Sequence, residues 1–272
     1  MQVKRMQKYE KLSFEKINYT GVITLRRGKV MNALNREITL EFHSLLEKLP
    51  EMFPEIRVVV ITGEGRGFCS GADLSRMASG GSENRKLPGN SSGQSGNRIQ
   101  ELASSIRRIP QPVIAAVNGA AVGAGFSIAL ACDIRIASEE AKFSAIFVRR
   151  GLVPDTAASS TLSEIAGHSV AAEMCLTGRI YDAEWAKSHG LVNHIVKPQF
   201  LMSEALKFAE DISSNPPLAV RNTKQLLRSG YRDWVDTVSD EDHYGSPLYD
   251  TYDQKEAVEA FLEKRDPIYR GD

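Results

Sequence analysis

Apolar and polar positions along this chain switch between a period of two and a period near 3.6, and each switch marks an element. Phe14-Glu15-Lys16-Ile17 and Val22-Ile23-Thr24-Leu25 alternate as the arms of a β-hairpin, with Asn18 to Gly21 as its turn. From Asn32-Ala33-Leu34 the spacing becomes helical. Leu34, Ile38, Phe42, Leu45 and Leu49 form one stripe, which predicts a helix through about Leu49. Residues 57–62 carry the β-branched run Val58-Val59-Val60-Ile61 and predict a strand, followed by a glycine-rich turn. The polar stretch from Ser79 to Asn97 has almost nothing to bury and predicts a mobile surface loop, with a lid beside a site as its functional reading. A helix at 98–108, Pro110 and Pro112, and the strand Val113-Ile114-Ala115-Ala116-Val117 come next, then a second glycine-rich turn and helix.

Short strands are predicted at 134–137 and 142–144, and helices from Thr156 to about Ile165, over 169–177 and from Ala183 to His189. Leu191 to Val196 reads as a last strand. Beyond Pro198 the pattern is helical throughout, at 199–213, 217–229, 231–242 and 253–264. The expected architecture is therefore α/β over residues 1–197, with an all-helical region over 198–272. Strand–turn–helix units recur, although no repeat of 20–50 residues stands out in the letters.

The two glycine-rich turns, Gly67-Phe68-Cys69-Ser70-Gly71-Ala72-Asp73-Leu74 and Asn118-Gly119-Ala120-Ala121-Val122-Gly123-Ala124-Gly125-Phe126, each join a strand to a helix-compatible segment. Small side chains there leave backbone N–H groups uncovered, which suits an anion or a developing oxyanion. Two such turns in one domain can aim two donors at one carbonyl oxygen.

Composition narrows the partners. The 272 residues are 42% hydrophobic, 25% charged and 7% aromatic, with a formal net charge of zero. No global basic field is present to recruit nucleic acid or an anionic membrane. A polyanionic ligand needs a local cluster, for which Arg26-Arg27-Gly28-Lys29 is a candidate beside its plainer reading as a solvated turn. Cys69, Cys132 and Cys175 are far apart and fit free thiols in a reducing, cytoplasmic setting. The basic start has no apolar run behind it, so no signal peptide is expected. Residues 112–137 are apolar but broken by Asn118, Asp133, Arg135 and three glycines, which argues for a buried strand–turn–helix–strand unit over a membrane span. The five histidines show no metal-ligand spacing, and no metal is expected.

Taken in order and spacing, several blocks of this chain resemble the crotonase (enoyl-CoA hydratase/isomerase) superfamily over essentially its whole length. They are Arg27-Gly28-Lys29-Val30-Met31-Asn32-Ala33-Leu34, Phe68 to Leu74, Pro112 to Gly125, Ala131-Cys132-Asp133-Ile134-Arg135-Ile136-Ala137, Thr177-Gly178-Arg179, Gly190-Leu191-Val192 and Phe261-Leu262-Glu263-Lys264-Arg265. The resemblance implies a spiral of ββα units and a helical C-terminal region that builds a homotrimer or a dimer of trimers. It also implies a coenzyme A thioester as substrate, with no separate cofactor. Position by position, it makes the backbone amides of Ala72 and Ala124 the oxyanion donors. It sets the coenzyme A moiety near Arg27, Val30 and Ala72-Asp73-Leu74, with Lys264 reaching toward phosphate.

The chain departs from the family's hydratases at two places. Their paired glutamates correspond to Ser127 and Phe147 here, and neither residue can act unaided as a base near neutral pH. Asp155 is the remaining acid. Double-bond-shifting members of the family, among them ring-epoxyphenylacetyl-CoA isomerases, resemble this chain in bearing Asp or Glu at that position. An acyl pocket of Phe126, Ser127, Phe147 and Val153 is expected to raise the Asp155 pKa and exclude water. Asp155 also reads as a plain helix N-cap before Thr156-Ala157-Ala158, a role worth about 1 kcal/mol. The expected activity is an enoyl-CoA isomerase working through a thioester enolate. Alternatives are a hydratase or hydrolase of the same fold, or a non-catalytic acyl-CoA-binding protein. RNA binding, which some relatives perform, finds no basic stripe here.

Overall fold

The computed structural model describes residues 3–5, 9–73, 99–228, 243, 247–248 and 251–272. The polar stretch 79–97, the helix expected at 231–242 and Leu74 lie outside the described residues. In chain order the strands are β1 (Val3–Arg5), β2 (Leu12–Ile17), β3 (Thr20–Leu25), β4 (Val58–Gly63), β5 (Gly67–Cys69), β6 (Val113–Val117), β7 (Ala120–Val122), β8 (Ile134–Ser138), β9 (Lys142–Ser144), β10 (Tyr181–Asp182) and β11 (His194–Val196). The α-helices are α1 (Arg36–Lys48), α2 (Leu102–Arg108), α3 (Ala124–Ala131), α4 (Ala158–Thr177), α5 (Ala183–Ser188), α6 (Leu201–Ser213), α7 (Pro217–Arg228) and α8 (Tyr252–Glu263).

Two sheets result. One has the order β1-β2-β3-β4-β6-β8-β11 and the other β10-β9-β7-β5. The pairs β4–β6 and β6–β8 in the first sheet, and β5–β7 and β7–β9 in the second, are parallel. Successive strand pairs β4/β5, β6/β7 and β8/β9 therefore each give one strand to either sheet, and this is the spiral of ββα units.

Side-chain alternation sorts the central strands onto two covered faces. Val59, Ile61, Val113, Ala115 and Val117 point into the main core. Val58, Val60, Ile114 and Ala116 point the other way, against Leu201, Ala205 and Ala209 of α6. A parallel strand buried on both faces has no polar side, so β4 and β6 read as unbroken apolar runs. Burying a Val or Leu side chain contributes about 1.5–3 kcal/mol, and α6 secures that gain for the outer face.

Element boundaries differ from the sequence reading where a turn has its own chemistry. Helix α1 starts late because Asn35 caps it, its side chain accepting the Ile38 N–H at 3.2 Å. The strand expected from Leu191 shrinks to His194–Val196 because the Leu191 N–H is taken by Ala186 O of α5, and that of Asn193 by Arg135 O. The two helices expected on either side of Gly167 do form, broken by a non-helical Gly167 at φ 80°. The first begins at Ala158, two residues later than expected. No helix among the described residues is long and apolar enough to cross a membrane.

Candidate active site

Parallel pairing of β5 and β7 sets the two glycine-rich turns side by side at the same ends of their strands. The approach is too close for side chains. A Cβ on Gly125 would lie 2.0 Å from the Cys69 carbonyl oxygen. One on Gly71, at φ +87°, would lie 2.8 Å from Val122 O and 3.3 Å from Ala124 N. Only glycine permits this contact, and it brings the Ala72 and Ala124 main chains together.

The amides flanking each turn are committed. Leu34 N–H donates to Gly71 O at 2.7 Å and Asp73 N–H to Leu34 O at 3.0 Å, the bridge that pairs Leu34 with Ala72. Gly123 N–H donates to Ser144 O at 2.9 Å. Among the described residues the Ala72 and Ala124 N–H groups have no acceptor, and the second opens helix α3, where the helix dipole adds to its pull on negative charge.

The loop before α1 closes one side of these turns. Buried Asn32 donates to Glu64 O and Gly67 O at 3.0 and 2.7 Å and accepts the Arg27 N–H at 2.8 Å. Asn118 meets the same segment, accepting from the Gly63 N–H and donating to Gly65 O and Gly67 O. Sequence reading had not given either asparagine a role. Their signal was an amide side chain among glycines and strand ends, where it can replace missing backbone partners. Arg27 pairs with Asp73 at 3.0 Å and also donates to Ala33 O, so both charged residues stand beside the Ala72 turn. Val30 is half-exposed next to them. Lys264 is exposed just past α8, and no hydrogen bond or ion pair among the described residues ties it to this region.

Asp155 lies in the loop before α4, where its main-chain oxygen accepts a hydrogen bond from Ser127 Oγ at 3.3 Å. It is part-buried, and desolvation pushes its carboxyl above the ordinary 3.8, opposed by hydrogen bonds from Thr156 and Gln100. Thr156 Oγ1 donates to Asp155 Oδ1 at 2.9 Å. The N-cap reading of Asp155 is corrected. The cap of α4 is Ala157, at φ 61° and without a side-chain bond, so the carboxylate is not used up on helix amides. Gln100 is a third residue that sequence reading missed, because it borders a polar stretch and nothing in its spacing marks it.

The expected acyl pocket divides. Phe147 is buried, its ring edge 4.0 Å from where a Gly123 Cβ would stand, and so it walls the second turn. Phe126 points into the core against Phe143, with ring centroids 5.8 Å apart. Val153 is 79% exposed in the single chain and forms no wall, because the loop carrying it turns outward before Asp155. Ser127 is fully buried, with Oγ 3.2 Å from Gly123 O and 3.3 Å from Asp155 O, so its one proton is held by main chain and not offered to a ligand.

Two uncovered amides at adjoining turns, with the main chain of a part-buried aspartate tied through Ser127 to the second of them, sit in a ββα spiral, which is the crotonase fold. The sequence profile of the enoyl-CoA hydratase/isomerase family matches residues 15–272, and the chain belongs to that family. It is 36% identical to the putative enoyl-CoA hydratase/isomerase YngF of Bacillus subtilis, over 94% of this chain and 96% of that one. It is 36% identical to the short-chain-enoyl-CoA hydratase of Clostridium acetobutylicum, over 92% and 94%. Identity to the 1,2-epoxyphenylacetyl-CoA isomerase of Escherichia coli is 34%, over 92% and 94%. The crystal structure of an enoyl-CoA hydratase from Bacillus anthracis superposes with a TM-score of 0.89 at 32% identity, covering 97% of this chain and 100% of that one. The protein is thus an enzyme of the enoyl-CoA hydratase/isomerase superfamily, and an acyl-CoA substrate fits that family.

Proposed function

We propose that this enzyme is an enoyl-CoA isomerase that moves a carbon–carbon double bond by a proton shift with Asp155 as its single acid–base group. The observation that carries this reading is a part-buried Asp155 carboxylate held by neutral donors and not spent on helix amides, its main chain tied through Ser127 to the Ala124 turn, with Ser and Phe at 127 and 147. Asp155 takes a proton from C2 of a 3-enoyl-CoA. The C–H electron pair passes into the thioester carbonyl, and the resulting oxyanion accepts hydrogen bonds from the Ala72 and Ala124 amides. The protonated Asp155 returns the proton at C4 as the double bond forms between C2 and C3. Atoms and electrons balance without an oxidant or further cofactor. Each oxyanion donor of this kind is worth about 10²–10³ in rate, and the acid–base group about 10²–10⁴.

In this reading Arg27, Val30 and Asp73 border the coenzyme A moiety, Lys264 meets its phosphates, and the 198–272 region assembles a homotrimer or dimer of trimers in the cytoplasm. Relatives named as hydratases favour a second reading, in which Asp155 activates a water. Against it, the Ser127 proton is held by main-chain carbonyls and Phe147 offers no polar atom. The test is incubation of a 3-enoyl-CoA and a 2-enoyl-CoA in ¹⁸O-water. The isomerase interconverts the two with no ¹⁸O in the acyl chain; a 3-hydroxyacyl-CoA carrying ¹⁸O at C3 would establish the hydratase instead.

A further inference from the structure

Three neutral side chains converge on residue 155, two of them from elements other than its own loop. Gln100 precedes α2 in a short 3-10 turn, Ser127 lies in the first turn of α3, and Thr156 follows Asp155 in the chain. Thr156 fixes the carboxylate oxygen Oδ1, and the Gln100 side chain bonds the same carboxylate. Ser127 acts one layer below. Its Oγ spans the Gly123 and Asp155 carbonyls and so links the main chain of the acid to that of the second amide turn.

The backbone beneath is strained in a way that serves this arrangement. Thr156 and Ala157 are both left-handed, at φ 54° and 61°, a conformation that side-chain-bearing residues avoid and β-branched ones most of all. Had both been helical, α4 would begin earlier and the Asp155 carboxylate would fall on its first amides. The left-handed pair turns residue 155 off the helix, and Asp155 meets α4 only through its main-chain oxygen, which accepts the Ala158 N–H at 3.0 Å.

We propose that Gln100, Ser127 and Thr156 are positioning residues for Asp155, two of them aiming its carboxylate and the third holding its main chain at a set distance from the Ala124 amide. The inference rests on the reading of Asp155 as the acid–base group. None of the three needs to touch the reacting atoms, and all three donors are uncharged, so they orient the carboxylate without pairing it to a cation.

The test is ¹³C NMR titration of the labelled aspartate carboxyls in the full-length enzyme, with Asp155→Asn assigning the signal, alongside kcat and KM for a 3-enoyl-CoA. Thr156→Val and Gln100→Leu each move the Asp155 midpoint upward and lower kcat by about tenfold, the equivalent of one hydrogen bond. KM stays within about twofold, since ground-state binding is untouched. Thr156→Ser restores both values. Ser127→Ala lowers kcat by a similar factor and moves the midpoint less. Gln100 is exposed, so its variant keeps the test alive if Thr156→Val fails to fold. An unmoved midpoint and unchanged kcat in Gln100→Leu and Ser127→Ala overturn the proposal. Moved midpoints with full turnover in Asp155→Asn would leave the hydrogen-bond set standing and refute the catalytic reading.

Discussion

Asp133 and Asp155 stand near opposite ends of the same helix, α3, and receive opposite treatment. Asp133 follows the C-terminal end, where a helix disfavours an anion. It is neutralised there by Lys224 at 3.1 Å and Arg228 at 2.6 Å, both from α7, and accepts the Val113 N–H at 2.7 Å. Arg228 also caps α3 by donating to Ala131 O. Asp155, tethered to the first turn of α3, has no cation partner among the described residues and is held by neutral donors. An acid locked between two cations is a strut that ties α7 to the end of α3. An acid desolvated and merely oriented keeps its capacity to take and return a proton.

The comparison breaks most sharply on exchange of each acid for its amide. Asp133→Asn leaves Lys224, only 3% exposed, buried without its counter-charge. We expect a loss of about 3 kcal/mol, the low end for a broken buried pair because Asp133 itself keeps 24% of its surface. Urea unfolding measures it. Asp155→Asn has the opposite signature. The folded pKa of Asp155 is raised, so the folded chain loses stability as pH rises from the ordinary carboxylate value through that raised pKa. A neutral amide removes that penalty, and thermal unfolding should come at the same temperature or slightly higher.

A smaller effect belongs to Lys224, whose pKa burial pulls down from 10.5 to about 8 despite Asp133. Its unfolded form holds the proton through that window while the folded form releases it, so this group makes stability rise as pH goes from about 8 toward 10.5. Lys224→Met should flatten the rise in a pH series of denaturation midpoints. At the site, kcat should fall as pH drops through the Asp155 pKa, placing the acid limb above 3.8. A limb at or below that value would mean the acid is not desolvated when it works. The smallest effect is expected from Arg27→Ala, which unties Asp73 and should raise KM for an acyl-CoA about tenfold with kcat held, as befits a ground-state contact.

Much of this was legible in the letters, and the reason differs by region. Strands β4 and β6 announced themselves because burial on both faces leaves no polar interruption. The paired turns were readable because close backbone approach excludes every residue but glycine, as the Gly125–Cys69 contact demands. The setting of Asp155 was not readable. Thr156 and Ala157 have no local preference for a left-handed backbone, so the residue types pointed to a helix start and an aspartate cap. Gln100 and Asp155 are 55 positions apart, and Arg228 and Asp133 are 95 apart. Side-chain partners at such separations leave no periodic trace. Ser127 misled in the other direction, since a hydroxyl beside a turn suggests a ligand contact while its proton is engaged below the surface.

The most direct measurement is the turnover of a 3-enoyl-CoA by Asp155→Asn, read beside calorimetric binding of an acyl-CoA to the same variant. The account predicts a fall in kcat of about 10²–10⁴ with binding within about twofold of the parent enzyme. Turnover preserved at the parent rate would contradict it.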